Sequence, residues 1–483
     1  MTDARAERAP RGIAGLDLHL ELAGATRPAR ALESALRDAI TGGRLAVGHR
    51  LPPSRALASD LGIARATVVD VYAQLVAEGW LETRVGAGTW VARGGPGSAG
   101  PGPSAAPAAL ARPAAGTLLG GLPDAGSFPR SEWLAATRRA LQGATDAELG
   151  YAHAAGVPRL RHELAAYLQR TRGVAVAPAP AGAEAVLIGH GFGSLLGVLC
   201  RALAAAGAHR VAVEEFGHAQ HRDVIRAAGL DTVTLTVDEQ GAVVDELFEH
   251  PDVDAVLLTP AHQFPLGVPL AAERRRALVG WAGERGALII EDDYDGEFRY
   301  DRRSIGALQG VAPDAVAYLG TASKALGPAV GLAWAVLPAP WRERALAERI
   351  GREQPRDVVN QLTLAEFLAD HSYDRHVRRM RAEYRRRRAL LAALLLARVP
   401  GARLAGVPAG LQATVRLPDR VDADAVVPAA LRRGVSFGSL ASYAADASVR
   451  HPSAVVIGYG ATSRARAEAE LAAAVAAIAD VAG

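Results

Sequence analysis

Lys324 is the one lysine in 483 residues, in a chain that carries 54 lysines and arginines together. Arginine serves as well as lysine for solvation and phosphate contacts, but it stays protonated and cannot attack a carbonyl carbon; a primary amine can. A lone lysine points either to a Schiff-base nucleophile or to chance survival in an arginine-rich composition, and its surroundings have to decide. They are Gly320-Thr321-Ala322-Ser323-Lys324, entered from the apolar run Ala315-Val316-Ala317-Tyr318-Leu319. Upstream, Leu288-Ile289-Ile290 runs into Glu291-Asp292-Asp293-Tyr294-Asp295-Gly296-Glu297-Phe298. Two neighbouring strand ends would bring a carboxylate, a phenol and the amine together at the edge where open α/β sheets bind ligands. Pyridoxal phosphate uses that trio. The amine condenses with its aldehyde, the carboxylate keeps its pyridine nitrogen protonated, and the phenol meets its ring hydroxyl. Taken alone, the carboxylates also read as a solvated strand end.

The elements that must position these groups are legible as buried strands alternating with helices. Ala185-Val186-Leu187-Ile188, Asp254-Ala255-Val256-Leu257-Leu258 and Ala287-Leu288-Ile289-Ile290 are continuous apolar runs, and a helical pattern covers Ala272 to Gly283. Such runs predict a mainly parallel sheet covered on both faces, a large α/β domain. Ahead of it, Gly94 to Pro113 consists of Gly, Pro, Ser and Ala with almost no large apolar side chain, which reads as a linker able to span up to roughly 60 Å. The expected domains are a tail over 1–14, a first domain over 15–93, the linker over 94–113 and the large domain over 114–483.

The first domain reads as three helices and a hairpin. Ala31, Leu32, Leu36 and Ile40 share a helical face ended by Gly42-Gly43. Ser54 is a suitable N-cap for a short helix closed by Gly62, and a third helix runs from about Arg65 to Ala77. Trp80 to Val85 and Thr89 to Val91 flank Gly86-Ala87-Gly88 as a wing. This region, LPPSRALASDLGIARATVVDVYAQLVAEGWLETRVGAGTWV, resembles the GntR-type winged helix-turn-helix. The resemblance implies that Ser54, Arg55, Arg65 and Thr67 meet DNA at helix starts, with Gly86, Gly88 and Thr89 along the backbone and minor groove. Helix N-termini and arginines attract phosphate, and the start of a recognition helix reaches base edges. Ala64 stands where the family usually has serine.

The large domain resembles fold-type I aminotransferases, and the order of the two domains resembles the MocR family of GntR regulators. The matching segments include Gly121-Leu122-Pro123-Asp124 with Phe128-Pro129 and Trp133, then Tyr151 with Gly156 and Leu160-Arg161, Thr259 to Pro265, IIEDDYDGEF and YLGTASK. The resemblance implies a three-layer domain with a small α/β C-terminal subdomain, pyridoxal 5′-phosphate as cofactor and a head-to-tail homodimer. It makes Lys324 the Schiff-base lysine, Asp292 the partner of the pyridine nitrogen and Tyr294 that of the ring oxygen. Thr321 and Ser323 would lie near the phosphate, Phe192 and Gly193 would offer backbone N–H groups at a helix start, and His218 would take the place of a tyrosine beside the ring. Tyr151 would reach the phosphate of the other subunit. There are four departures from the family, over five positions: Gly331 replaces a phosphate-binding arginine, Gly193-Ser194 a glutamine pair, His218 the tyrosine, and Val456 the arginine that holds an amino-acid carboxylate.

Composition bounds the rest. A net charge of +3 is too small to mark the whole chain as a polyanion binder, so nucleic-acid affinity must be local. The single cysteine, Cys200, excludes an internal disulfide and sits in an apolar run that suits a buried thiol. Met1-Thr2-Asp3-Ala4-Arg5 lacks a signal-peptide core, so a cytoplasmic protein is expected, with no metal site. The arginine-rich run from Arg375 to Arg388 reads as the solvated face of a long helix more readily than as a nucleic-acid patch. The reading adopted is a dimeric regulator that binds a double-stranded operator and senses an amine or vitamin B6 effector through an aldimine at Lys324. Its rivals are a regulator whose large domain has lost the cofactor and binds another ligand or only dimerises, and a working aminotransferase with a fused DNA-binding module.

Overall fold

The computed structural model describes residues 27–84, 88–92, 116–151, 153–177, 181–300, 305–350, 352, 357–446, 448–449 and 451–483. The expected tail 1–14, the linker 94–113 and Gly86 lie outside the described residues. The chain divides into two compact units, Met1–Ala111 and Arg112–Gly483.

In the first unit, helices α1 (Pro28–Thr41), α2 (Ser54–Leu61) and α3 (Arg65–Ala77) precede strands β1 (Leu81–Arg84) and β2 (Gly88–Val91). Leu32, Leu36 and Ala39 recur at helical spacing, and α1 buries that face in one core with Val68, Val71, Tyr72 and Leu75 of α3. Gly62 ends α2 with φ +67, a left-handed turn that glycine adopts without a Cβ clash. Ser54 is not a capping residue. Pro53 holds the N-cap position at φ −56 and ψ 140, so Ser54 becomes the first helical residue and caps nothing. Strands β1 and β2 pair antiparallel with Leu81 opposite Val91, both turned into the core. The guanidinium groups of Arg50 and Arg84 lie 5.7 and 5.1 Å from the centroid of the Trp90 ring on this wing.

Ala64 occupies the N-cap of α3 in extended conformation and offers no side-chain acceptor. Ala64→Ser would supply one, and thermal unfolding of the protein should show the first unit stabilised by about 0.5–2 kcal/mol. No gain would mean that the N–H groups of that turn are already satisfied.

The second unit carries helices α4 (Arg130–Gly143), α5 (Pro158–Arg172), α6 (Phe192–Ala205), α7 (Ala219–Ala227), α8 (Ala272–Arg285), α9 (Ala339–Arg349), α10 (Val358–Ala369), α11 (Ser372–Arg398), α12 (Ala423–Arg432) and α13 (Ala467–Ala482). Its central sheet comprises β3 (Val186–Gly189), β4 (Arg210–Glu214), β5 (Asp231–Leu235), β8 (Ala255–Leu258), β9 (Leu288–Asp293), β10 (Val316–Thr321) and β11 (Ala333–Val336). A short pair, β6 (Val237–Asp238) and β7 (Gly241–Ala242), stands apart. The order is β3-β11-β10-β9-β8-β4-β5, and only β11 runs antiparallel to its neighbours. Apolar side chains pack against the sheet in three separate clusters, as strands covered on both faces require. A smaller antiparallel sheet, β12 (Arg403–Leu404), β13 (Ala413–Arg416), β15 (Ala454–Ile457) and β14 (Gly438–Ser439), forms the C-terminal subdomain.

Two side chains refine the sequence reading. Cys200 is fully buried, and burial pushes its thiol up to about 12, where it is inert. The arginine-rich helix α11 exposes Arg378, Arg381, Arg385 and Arg386, but Arg387 is fully buried. Its guanidinium meets Asp124 at 2.8 Å and Glu383 at 2.8 Å and donates to the carbonyls of Tyr459, Gly460 and Thr462. That arginine ties α11 to the start of the domain and to its C-terminal subdomain. Among the described residues no helix is long and apolar enough to cross a membrane.

Candidate functional site

The C-terminal ends of β4, β8, β9 and β10 converge on one cavity of about 230 Å³. Strands β9 and β10 are parallel neighbours with Asp292 opposite Leu319 in register, so the acidic end of β9 and the loop carrying Lys324 leave the sheet side by side. The N-terminus of α6 and the first turns of α7 close the cavity. Lys324, Asp292, Tyr294, Thr321, Ser323, Phe192, Gly193 and His218 all line it. Tyr151 does not; it is 97% exposed on the surface of the chain.

Burial sets the charges. The Lys324 amine is held below the ordinary lysine range by desolvation, which the nearby Asp292 and Asp295 oppose. Desolvation also holds Asp292 well above the usual carboxylate range, with Lys324 opposing it. Burial therefore shifts both groups toward their neutral forms. Asp292 Oδ1 is buried without a hydrogen-bond partner, and Oδ2 lies 4.0 Å from His221 Nδ1. An orphaned carboxylate oxygen is costly, and a cationic N–H beside it would restore the ionised form.

Tyr294 sits in a buried network. Its hydroxyl accepts a hydrogen bond from Gln412 Nε2 at 2.8 Å and lies 3.0 Å from His262 Nδ1, which is also 2.9 Å from Asp295 Oδ2. Gln412 in turn accepts from the backbone N–H of Gly121 at 3.2 Å. Gly121 has φ +77, and a Cβ there would stand 3.4 Å from Lys324 Nζ, so a bare backbone lets this strap pass beside the amine. Aromatic rings form the remaining wall. His218 stacks on Phe264 with centroids 4.0 Å apart and planes at 18°, and Phe192 lies 4.6 Å from His221. Desolvation, with Lys324 nearby, drops His218 to about 4 and His221 to about 3, so both imidazoles are neutral at pH 7.

Sequence reasoning missed His221, Arg222, Gln412 and His262. His221 carried a signal, since it lies three positions after His218 and so shares its helical face. Gln412 carried none, because it meets Tyr294 from the residue just ahead of β13 in the small subdomain. Arg222 is buried, and its guanidinium donates to the carbonyls of Ala444 at 2.9 Å and Gly217 at 3.4 Å.

The other candidate surface lies on the first unit. Arg55 and Arg65 are exposed at the starts of α2 and α3, and neither has a partner among the described residues. Thr67 is partly exposed in the first turn of α3, and Ser54, Gly88 and Thr89 line one groove between α2, α3 and the wing.

Comparison with known proteins agrees with both halves. The profile of the gntR family of bacterial regulatory proteins matches residues 28–91, and that of aminotransferase class I and II matches residues 121–450. The chain is 33% identical over 424 residues to the HTH-type pyridoxine biosynthesis transcriptional regulator PdxR of Corynebacterium glutamicum, covering 85% of this chain and 88% of that one. It is 32% identical to the probable rhizopine catabolism regulatory protein MocR of Rhizobium meliloti, covering 85% and 86% of the two. Among solved structures, an archaeal alanine:glyoxylate aminotransferase shares the fold with a TM-score of 0.67 at 23% identity, over 76% of this chain and 91% of that one. The chain therefore belongs to the MocR subfamily of GntR-type transcriptional regulators, in which a winged helix-turn-helix that binds DNA is joined to a fold-type I aminotransferase-like domain.

Proposed function

We propose that this regulator works as a head-to-tail homodimer and that its aminotransferase-like domain senses pyridoxal phosphate, or an amine exchanged through it, by covalent capture at Lys324. The observation that carries this reading is the buried Lys324 amine sharing one cavity with the unpartnered Oδ1 of Asp292. Pyridoxal phosphate, when bound, supplies an aldehyde for amines and a pyridine ring that draws electrons. The chain's residues fit its aldehyde and its ring. Burial holds the Lys324 amine below the ordinary lysine range and so favours its nucleophilic form, Asp292 offers its free oxygen to a protonated ring nitrogen, and the Tyr294 hydroxyl is fixed by Gln412 and His262. The neutral imidazole of His218 gives a flat wall for a ring. Tyr151 is free to reach the partner's pocket, and Arg55, Arg65, Thr67, Ser54, Gly88 and Thr89, with Gly86 beside them in the wing sequence, would contact the operator.

Sensing is favoured over turnover by Val456. It is fully buried in β15, paired with Thr414 and Gly438, and Gly120 packs against it. An apolar side chain there offers no bidentate grip for an amino-acid carboxylate. Gly331, which puts no cation beside the cavity, supports the second reading of a pocket that takes another ligand.

Adding pyridoxal phosphate to the purified protein should give a visible absorption band that Lys324→Ala lacks. Only the neutral amine attacks, so capture should strengthen as pH rises through the depressed pKa of Lys324. Identical spectra for wild type and variant would remove the reading.

A further inference from the structure

The end of the cavity at the start of α6 and the turn after β10 is poorly equipped for a dianion. A phosphate arm carries about −1.5 to −2 charges at pH 7 and is ordinarily met by a cation. The cationic side chains lining the cavity among the described residues are Lys324 and Arg222. Lys324 is the nucleophile of the proposed capture, and Arg222 already commits two of its five N–H groups to the carbonyls of Gly217 and Ala444. The Thr321 hydroxyl is also engaged. It accepts from the Ser323 backbone N–H at 3.1 Å and stands 3.0 Å from Ser323 Oγ and 3.3 Å from the Leu332 carbonyl. At Gly331, a Cβ would meet nothing nearer than the His190 carbonyl at 3.9 Å, so no bulk replaces an absent cation. The first residue of α6 instead turns an aromatic ring into the cavity, and that ring, Phe192, packs 4.6 Å from His221.

We propose that this pocket is built to capture a pyridoxal-type aromatic aldehyde without its phosphate, recognised by its carbonyl and ring rather than by a charged arm. The inference rests on Lys324 being the capturing amine. In that step the neutral Nζ adds to the aldehyde carbon, the carbonyl oxygen leaves as water, and a C=N bond forms that borohydride reduces to a stable amine. Among the described residues a phosphate arm would exchange its hydration for backbone N–H groups, the Ser323 hydroxyl and the remaining donors of one tethered cation, Arg222, with the hydroxyl of Tyr151 of the partner subunit in the proposed dimer, whereas the phosphate-free ligand buries ring and methyl surface against Phe192, His218 and His221.

The test compares two probes on the full-length protein. They are pyridoxal 5′-phosphate and 5-deoxypyridoxal, which has no phosphate and cannot close the internal hemiacetal that pyridoxal forms. Each is titrated by absorbance, then trapped with borohydride and located by mass spectrometry. Both should label Lys324, with apparent dissociation constants within about tenfold of each other or with 5-deoxypyridoxal the tighter. A preference for the phosphorylated probe above about tenfold overturns the inference but leaves capture at Lys324 intact, while labelling by neither overturns both. Gly331→Arg, checked first for an unchanged unfolding temperature because Gly331 sits at φ +65, should tighten the phosphorylated probe alone by roughly 10- to 100-fold. The wild-type ratio decides the matter even if that variant fails to fold.

Discussion

Arg172→Met should destabilise the aminotransferase-like domain by about 3–5 kcal/mol, because it strands a buried carboxylate. The side chains of Arg172 and Asp293 are 3% and 2% exposed. Arg172 Nε donates to Asp293 Oδ2 at 2.6 Å and Nη2 to Oδ1 at 2.9 Å, while Nη1 donates to the Gly296 carbonyl at 3.2 Å. Without the guanidinium, Asp293 keeps the Tyr318 hydroxyl at 2.7 Å as its side-chain donor. The ion pair itself adds little over an apolar pair of the same shape, but half of it is worse than none. Adding Asp293→Asn to Arg172→Met should therefore recover part of the loss. The consequence reaches the site, since Asp293 directly follows Asp292 on β9 and a Cβ on Gly296 would stand 2.2 Å from Asp293 Oδ1. Denaturant unfolding measures the effect; a loss below about 1 kcal/mol would show that solvent reaches Asp293.

The double substitution Arg55→Ala and Arg65→Ala should abolish measurable operator binding at physiological salt. Both side chains are exposed, so the fold of the first unit should survive. Each lost charge-assisted contact costs about 1.5–3 kcal/mol, which together weaken binding by roughly 100- to 10,000-fold. If both arginines meet phosphate, the slope of log affinity against log salt should fall by about 2. Fluorescence anisotropy on DNA upstream of the protein's own coding region, repeated over a salt series, reads both quantities. Unchanged affinity would move the DNA contacts elsewhere, with Arg50 and Arg84 around Trp90 the first side chains to examine.

The winged helix was legible almost to the residue, because local signals wrote it. Helical spacing of Leu32 and Leu36 and of Val68, Val71 and Leu75, with Gly62 as stop signal, defined α1 to α3. Ser54 misled by one position, since a serine after two prolines satisfies the capping pattern while Pro53 takes the cap. The strands leading to Asp292 and Lys324 were equally plain as apolar runs, and the parallel pairing of β9 with β10 then brings those residues together. What the sequence hid lies at long range. Gln412 steadies Tyr294 from just ahead of the small sheet, Gly121 passes beside Lys324 from the start of the domain, and Arg387 leaves a solvated-looking arginine run to bind Asp124. No local periodicity encodes such contacts; the closure of the chain on itself makes them.

Lys324 is a buried amine, shifted by burial toward its neutral form and placed to capture a carbonyl ligand. Borohydride reduction in the presence of pyridoxal phosphate, followed by peptide mapping of wild type and Lys324→Ala, tests that capture most directly. A single adduct on the peptide containing Lys324, absent from the variant, is the predicted result. An unlabelled wild type, or a label that persists in Lys324→Ala, would contradict it.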